Sequence, residues 1–359
     1  MYFFPTFLIS KETANMKKIR LGRTGLEVTV VSFGALPIQR ISIEEAGRIL
    51  RRAYDAGINF YDTARAYSDS EEKMGVALSD IRKNIIIATK SKGATGAEVL
   101  EDAETSLKKL KTDYIDVLQI HNPSTVPMPD DGTGRYEAFK KLQEQGKIRF
   151  IGFTNHSLDR SFTAAESGLY DTIQYPFSLL STDKELALAA RCKELDLGFI
   201  AMKAMGGGII REVPATFAFI RHHDNVVPIW GVQKMEELEQ FIELQKNPPA
   251  WDDAMKALAQ KEKDALGKEF CRSCGYCLPC PVDIPIPNMA RMILLLGRSP
   301  WQSQVTPAAQ EQMRRAEDCI DCGACASRCP YELDTPALIR ENYAYYVKFI
   351  QEKKAEGLL

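Results

Sequence analysis

The feature that most constrains the fold is a regular alternation of short apolar runs and amphipathic stretches between residue 28 and about residue 244. The runs are rich in β-branched residues, as buried strands are, and the stretches between them have the apolar spacing of helices. In one such stretch, Val99, Ala103 and Leu107 share a helical face. Eight runs are predicted as strands, at residues 28–33, 59–61, 85–88, 114–120, 150–153, 172–174, 198–202 and 226–229.

Eight successive strand–helix units are typical of a (β/α)8 barrel, because doubly wound sheets usually have fewer strands. The absence of a GxGxxG turn after any of these strands also argues against a dinucleotide fold of the doubly wound type. Residues 19–21 and 26–28 flank a glycine-rich turn and predict a hairpin on the floor of the barrel. We therefore predict an α/β protein with a TIM barrel as its main domain.

The composition changes after Pro248 and Pro249, which end the last barrel helix. Residues 253–266 have helical spacing, and eight of the nine cysteines follow before a final helix that begins at Pro336. The predicted organisation is a barrel over residues 16–246, a linker with a helix over 247–269, a cysteine-rich domain over 270–335 and a C-terminal helix and tail over 336–359.

The cysteines form two runs, each followed by a proline, with the spacings CxxCxxCxxCP and CxxCxxCxxxCP. They are Cys271, Cys274, Cys277 and Cys280 in the first run, and Cys319, Cys322, Cys325 and Cys329 in the second. The second spacing is that of bacterial ferredoxins, and the first differs by one residue. Duplicated triplets predict two [4Fe–4S] clusters, and zinc bound by CxxC pairs is the alternative.

The proline after each run predicts that the fourth cysteine turns away from its own triplet. The hypothesis is that Cys329 completes the first cluster and Cys280 completes the second. Two self-contained runs are the alternative, which the short spacing before Cys280 favours. A long apolar segment at residues 289–296 separates the runs and predicts a helix, so we expect a smaller, mostly α-helical ferredoxin-like domain. Cys192, which stands alone, is predicted to be a small buried apolar residue.

Four polar residues follow the predicted strands where a TIM barrel carries its chemistry, at the carboxyl ends of the strands. Asp62, Lys90 and His121 come after the second, third and fourth strands, and Tyr67 lies in the loop after Asp62. Any one of them could cap a helix, pack at the rim or face solvent. An acid, a phenol, an ammonium and an imidazole at one rim predict an active site.

The segments that carry these residues resemble the aldo-keto reductases: GINFYDTARAYSDSEEKMGVAL, IIIATK and DVLQIH. The opening KKIRLGRTGLEVTVVSFG and the segment GFTNHS are similar to that family too. The resemblance implies hydride transfer between a nicotinamide and a carbonyl or alcohol, with Tyr67 as general acid and base. Asp62 would orient Lys90, and His121 would donate a hydrogen bond to the carbonyl oxygen. The ammonium of Lys90 is expected to lower the Tyr67 pKa from about 10.

The resemblance also implies NADP or NAD as cofactor, bound by residues after the later strands. These are Thr154, Asn155, Gln174, Met202, Gly206, Gly207, Gly208, Gly231, Gln233 and Lys234. The first three match the positions that hold the nicotinamide carboxamide, and the glycines suit the phosphates. Met202 replaces the aromatic residue that the family usually stacks on the nicotinamide, and Glu237 replaces an arginine near the adenine.

A barrel and two clusters on one chain leave three functions open. A nicotinamide transfers two electrons and a cluster one, and no flavin motif is present to mediate. The chain could be a reductase whose clusters exchange electrons with a partner, a carbonyl reductase with structural or redox-sensing clusters, or a non-catalytic redox-sensing interaction protein. The complete set of four rim residues favours an oxidoreductase.

The expected partners are a small carbonyl or alcohol and a redox protein. Nucleic acid is not expected, because 46 basic residues balance 48 acidic ones. A membrane is not expected either, since the apolar run at residues 292–296 is far shorter than a spanning helix. The apolar residues 1–9 are broken by Pro5 and lack the basic start of a secretion signal. We therefore expect a cytoplasmic protein.

Overall fold

The computed structural model describes residues 16–208, 210–266, 271–273, 275–298 and 301–359. The interpretation of residues 1–9 and the assignment of Cys274 as a ligand therefore fall outside the described residues. Within the described part of the chain, no helix combines the length and the apolar character needed to cross a membrane.

A closed barrel of eight parallel strands forms the main body, as predicted, and it is preceded by an antiparallel hairpin. The hairpin consists of β1 (Lys18–Arg20) and β2 (Glu27–Thr29). The barrel strands are β3 (Ser32–Gly34), β4 (Phe60–Asp62), β5 (Ile86–Ser91), β6 (Ile115–His121), β7 (Ile148–Thr154), β8 (Thr172–Pro176), β9 (Gly198–Met202) and β10 (Val226–Gly231). The barrel closes where β10 pairs with β3.

The first predicted strand, at residues 28–33, is wrong as a single element. Its start belongs to the hairpin strand β2, and its end belongs to the barrel strand β3. The hydroxyl of Thr29 donates to the backbone oxygen of Val31 at 2.8 Å, and that of Ser32 donates to the backbone oxygen of Thr29 at 2.6 Å. These local bonds give the backbone an alternative to ladder pairing, and the chain bends between the two strands.

The hairpin closes the floor of the barrel, as predicted. Leu21, Leu26 and Val28 belong to the same apolar cluster as the inward-facing barrel residues Phe60 and Val117. The fit is close: a Cβ at Gly198, where β9 begins, would lie 2.7 Å from Leu21 Cγ. The interior is thus apolar at this end, and the polar residues are found at the carboxyl ends of the strands.

Helices follow the strands and cover the outside of the barrel. They are α1 (Ile43–Asp55), α2 (Ser70–Leu78), α3 (Gly96–Leu110), α4 (Arg135–Glu144), α5 (Leu158–Glu166), α6 (Asp183–Glu194), α7 (Val213–His222) and α8 (Met235–Lys246). The predicted face of α3 is buried at Val99, Ala103 and Leu107. Cys192 is buried in α6 within the same core, as predicted.

The cysteine-rich region is helical in its described part, which contains no strand. The helix α9 (Asp253–Leu266) precedes it, and Ala259 of α9 belongs to the barrel core. The helices of the region itself are α10 (Ile286–Met289), α11 (Met292–Arg298), α12 (Pro307–Arg314), α13 (Ala324–Ser327) and α14 (Thr335–Ala355). The helix predicted at residues 289–296 is therefore two helices. The side chain of Asn342, on α14, accepts a hydrogen bond from the backbone N–H of Ile293 at 3.0 Å, so a residue of α14 caps the start of α11.

The cysteine-rich region has an apolar core of its own. Cys277, Met289 and Cys325 belong to it, together with Ile339 and Tyr346 of α14. The long C-terminal helix therefore packs as part of the region that carries the cysteines.

Candidate active site and cysteine-lined cavities

A buried ion pair lies at the carboxyl rim of the barrel. Asp62 is the last residue of β4, Lys90 lies near the end of β5, and their side chains are 2% and 1% exposed. Lys90 Nζ donates to Asp62 Oδ1 at 2.5 Å and to the backbone oxygen of Thr63 at 2.6 Å. Because β4 and β5 are parallel neighbours, their carboxyl ends meet at one edge and bring the two charges together.

Tyr67 and His121 lie over this ion pair. Their rings meet edge to face, with 5.9 Å between the centroids. Lys90 Nζ is 5.3 Å from the centroid of the Tyr67 ring. The structure thus brings together the four rim residues singled out in the sequence.

Burial disfavours the charged form of both members of the ion pair. Burial raises the Asp62 pKa, although the Lys90 ammonium and hydrogen bonds from Gln119 and Gln174 lower it. Burial also lowers the Lys90 pKa, although Asp62 raises it. Each charge is therefore maintained chiefly by the other.

Gln119 was not predicted as a site residue, yet its Nε2 donates to Asp62 Oδ2 at 3.1 Å. It lies two residues before His121 on β6, and alternate residues of a strand face the same side. That period of two is the sequence signal that would have identified Gln119.

The expected lowering of the Tyr67 pKa is wrong. Burial raises it well above its ordinary value, and the negative charge of Asp62 raises it further. Lys90, which is paired with Asp62 at 2.5 Å, is not among the groups that shift the Tyr67 pKa. The His121 pKa is lowered well below its ordinary value by burial and by the charges of Lys90 and Lys92. A neutral phenol and a neutral imidazole therefore face each other at the rim.

The residues predicted to hold a nicotinamide carboxamide lie next to the rim residues. Thr154 on β7 and Gln174 on β8 are register partners, and both are buried. Gln174 Oε1 and His121 Nδ1 are buried without a hydrogen-bond partner. The amide of Asn155 is engaged within the protein, since it donates to the backbone oxygen of Pro123 at 2.9 Å. Gln174 and His121 thus have unused polar atoms, as a polar ligand would need, and so does Gln119 at its Oε1.

The glycine loop after β9 has the backbone conformation that glycine permits. Gly206, Gly207 and Gly208 have φ values of 59, 77 and 84°. The N–H groups of Gly206 and Gly208 donate within the loop, to the backbone oxygens of Lys203 at 2.7 Å and Met205 at 2.6 Å. Two of the three glycine N–H groups are therefore already bonded within the loop and are not free to bind a phosphate. Met202, the last residue of β9, pairs in register with Pro176.

The segment after β10 is already capped by a carboxylate. Gly231 ends the strand, and the backbone N–H groups of Gln233 and Lys234 donate to Glu237 Oε2 at 2.7 and 3.0 Å. The Gln233 side chain accepts a hydrogen bond from Arg40 at 3.1 Å. Glu237 thus occupies the N-terminus of α8, where a phosphate of the cofactor was expected.

The cysteines line two cavities, each with about 350 Å³ of empty space. Cys271, Cys277 and Cys329 line the first cysteine cavity. Those lining the second cysteine cavity are Cys280, Cys319, Cys322 and Cys325. The first cavity thus combines the two described cysteines of the first triplet with Cys329, and the second combines the second triplet with Cys280. This is the grouping of the crossed hypothesis.

The cavities suit a bulky cluster better than a single ion. Among the described residues, no three His, Cys, Asp or Glu side chains are close enough to hold one metal ion. A tetrahedral zinc site draws its ligands around one atom, whereas a cubane holds its thiolates apart. The donors are thiolates surrounded by apolar residues such as Ile286 and Ile339, as an iron–sulfur cluster requires.

Contacts on either side of the first cysteine cavity attach it to the barrel. The Tyr331 hydroxyl donates to Glu185 Oε1 on α6 at 2.8 Å. Arg272 donates to the backbone oxygen of Leu180 at 2.6 Å, and its guanidinium lies 3.9 Å from the centroid of the Tyr331 ring. Leu180 follows β8, so this cavity lies against the same rim that carries the ion pair.

Comparison with known proteins identifies both parts of the chain. A sequence model described as the aldo/keto reductase family matches residues 30–215. A second, described as a 4Fe-4S dicluster domain, matches residues 270–334. The cysteine-rich region therefore resembles 4Fe-4S dicluster domains, which favours iron–sulfur clusters over the zinc alternative.

Curated relatives and solved structures agree with this result. The chain is 31% identical over 237 residues to aldo-keto reductase YhdN of Bacillus subtilis (strain 168). The matched segment covers 58% of this chain and 70% of the relative. It is 34% identical over 212 residues to L-galactose dehydrogenase of Arabidopsis thaliana, covering 54% of this chain and 66% of the relative.

Two solved structures share the fold at a TM-score of 0.60 and 22% identity. They are an aldo-keto reductase from Bacillus halodurans in its holo form, covering 69% of this chain and 96% of that one, and an aldo-keto reductase from Klebsiella pneumoniae in complex with NADPH, covering 69% and 95%. Since the family model spans more than half of the sequence and the barrel is the one these structures share, the chain belongs to the aldo/keto reductase family.

Proposed function

We propose that this protein is an NAD(P)-dependent oxidoreductase that interconverts a small carbonyl compound and its alcohol, with Tyr67 as general acid and base. The observation that carries the proposal is the buried Lys90–Asp62 pair beneath Tyr67, with His121 beside it. A phenol, an ammonium and an imidazole at one rim can supply a proton and a hydrogen bond to the same oxygen atom.

Tyr67 transfers the proton. Its raised pKa keeps the proton on the phenol at neutral pH, so that it is present when a carbonyl oxygen gains negative charge. Lys90 lies beneath the phenol, with its Nζ 5.3 Å from the centroid of the Tyr67 ring, and positions it for the transfer. Asp62 keeps Lys90 charged and fixed in position through its 2.5 Å hydrogen bond.

The remaining rim residues orient the reactants. His121 is neutral, because burial lowers its pKa, and its imidazole N–H donates to the carbonyl oxygen. Gln174 Oε1, buried without a partner, accepts from the carboxamide of the cofactor. When bound, a reduced nicotinamide would supply a hydride to the carbonyl carbon.

The test of this role is Tyr67→Phe, which removes only the hydroxyl. We expect binding of the nicotinamide to persist and carbonyl turnover to fall by about 10² or more, the scale of general acid catalysis. Tyr136→Phe is the matched control, because that hydroxyl donates to the backbone oxygen of Leu169 at 3.4 Å from α4, outside the rim. Near-normal kcat in Tyr67→Phe would refute the assignment.

The proposal for the cysteine-rich domain is two [4Fe–4S] clusters with crossed fourth ligands. The first cluster is held by Cys271, Cys274, Cys277 and Cys329, and the second by Cys319, Cys322, Cys325 and Cys280. The grouping of the described cysteines around the two cavities supports these sets. Bound clusters would supply one-electron transfer between the barrel and a redox partner.

Serine substitutions distinguish crossed ligands from self-contained runs. With crossed ligands, Cys329→Ser alters the same low-temperature EPR signal as Cys271→Ser and leaves intact the signal that Cys319→Ser alters. If Cys329→Ser instead reproduces the spectrum of Cys319→Ser, each run holds its own cluster.

A further inference from the structure

Two partly buried cationic side chains, each with a buried nitrogen atom, lie near the first cysteine cavity, and the function proposed above uses neither. Lys203 follows β9, and its Nζ is buried without a hydrogen-bond partner. Arg291 lies between α10 and α11, and its Nε is buried in the same way. Such groups are costly to bury unless an anion is nearby.

Both residues lie beside the wall of the first cysteine cavity. Arg291 follows Ala290, which lines that cavity with Cys271. Lys203 lines a neighbouring cavity together with Arg272, and Arg272 also lines the first cysteine cavity. The two cations thus approach Cys271 from the barrel and from the helical domain.

Both side chains lie within electrostatic reach of Cys271, whose sulfur becomes an anion when it binds a cluster, since burial alone raises the Cys271 pKa. A negative charge at Cys271 raises the pKa of Lys203 and of Arg291, against the effect of burial, which lowers both. Arg272 differs from them, because its guanidinium lies 3.9 Å from the carboxylate of Glu185. An oxidised cubane with four thiolates carries about two negative charges, which two unpaired cations would balance.

The second cysteine cavity has different surroundings. Asp321 Oδ1 lies 3.9 Å from Cys319 Sγ, and the nearby Arg340 is paired with that same Asp321. Ile320, which lines this cavity, is 61% exposed. A cluster here would have an acidic neighbour, a cation that is already neutralised, and contact with solvent. Arg328 also lines this cavity, but it is exposed and donates to the backbone oxygens of Ala324 and Pro279, so solvent screens its charge.

We propose that Lys203 and Arg291 are the electrostatic partners of the first cluster, and that they make it the centre with the higher reduction potential, on the barrel side of the domain. The inference rests on the two-cluster part of the proposed function. Reduction adds one negative charge to a cluster, so unpaired cations favour the reduced form and a nearby carboxylate disfavours it. An electron shared between the clusters would reside on the first, next to the rim that carries Tyr67.

The test is an anaerobic redox titration of the full-length, cluster-loaded protein, followed by EPR. Spectra of Cys271→Ser and Cys319→Ser assign the signals to the two clusters. Lys203→Met keeps a long unbranched side chain and removes the charge. We expect the equilibrium constant for reduction of the first cluster to fall about tenfold, or about 59 mV for one electron, with no change at the second cluster.

Two further variants complete the design. Arg291→Met should shift the same signal in the same direction. Lys193→Met removes an exposed lysine of α6 that pairs with Asp224, and should shift neither signal.

The inference is wrong if the substitutions at Lys203 and Arg291 both leave the reduction potential of the first cluster at its value in the Lys193→Met control. It is also wrong if they shift the potential of the second cluster instead. A higher potential for the second cluster than for the first in the unaltered protein would contradict it as well. Iron and sulfide analysis separates this result from a failure of the proposed function, because a protein that lacks either cluster would contradict the two-cluster assignment itself.

Discussion

Replacing Lys90 by Met tests the buried ion pair directly. The substitution keeps the length of the side chain and removes the charge opposite Asp62, which is 2% exposed. The hydrogen bond from Gln119 at 3.1 Å would remain. The variant therefore leaves a buried carboxylate that is hydrogen-bonded but has no cation.

Removing one partner of a buried pair leaves an uncompensated charge, which destabilises proteins by about 3–5 kcal/mol. We expect a loss of this size in the free energy of unfolding at pH 7, measured by urea denaturation. Asp62→Asn combined with Lys90→Met removes both charges, so the double variant should recover a large part of the loss.

The loss should also depend on pH. Burial already raises the Asp62 pKa, and without the Lys90 ammonium it rises further above the unfolded value of about 3.9. The unfolded state then releases the proton more easily, so stability falls as pH rises from the unfolded pKa to the folded one. The deficit of Lys90→Met should be small near pH 4 and reach its full size at neutral pH. A deficit below about 1 kcal/mol at pH 7, or one that grows in acid, would refute the buried-pair reasoning.

Two predictions concern the reaction and the cofactor. Because burial lowers the His121 pKa and raises that of Tyr67, kcat/KM for carbonyl reduction should be flat between about pH 7 and pH 9. A bell-shaped pH profile within that range would contradict a neutral imidazole and a neutral phenol. Because the Glu237 carboxylate occupies the N-terminus of α8, Glu237→Gln should strengthen binding of NADPH several-fold more than that of NADH, as measured by fluorescence titration. Equal changes for the two cofactors would show that the extra phosphate of NADPH does not bind at this helix end.

The architecture could be predicted from the sequence because buried parallel strands and amphipathic helices have distinct periods. The alternation gave the number of strands and their order, and the rim residues followed from where those strands end. The error at residues 28–33 arose because apolar character continues through a bend formed by the hydroxyls of Thr29 and Ser32. The helix predicted at residues 289–296 is confirmed over 292–296 as part of α11, but its start was misplaced because Asn342 of α14, a distant segment, caps it.

The electrostatics of the site could not be predicted from the motifs. A lysine close to Tyr67 suggested a lowered phenol pKa, but burial and the negative charge of Asp62 raise it. Lys203 and Arg291 carry no motif, and only the packing of two domains brings them to Cys271. Contacts between segments far apart in sequence determine such features, and local patterns do not encode them.

The central claim is that one chain holds two [4Fe–4S] clusters beside a nicotinamide-binding barrel. Anaerobic purification with iron, sulfide and bound-cofactor analysis, followed by titration with NADPH and NADH, tests it most directly. We predict about eight iron and eight sulfide per chain, from two cubanes, with binding of at least one reduced nicotinamide. Zinc in place of iron, or a fully loaded protein that binds neither nicotinamide, would contradict the account.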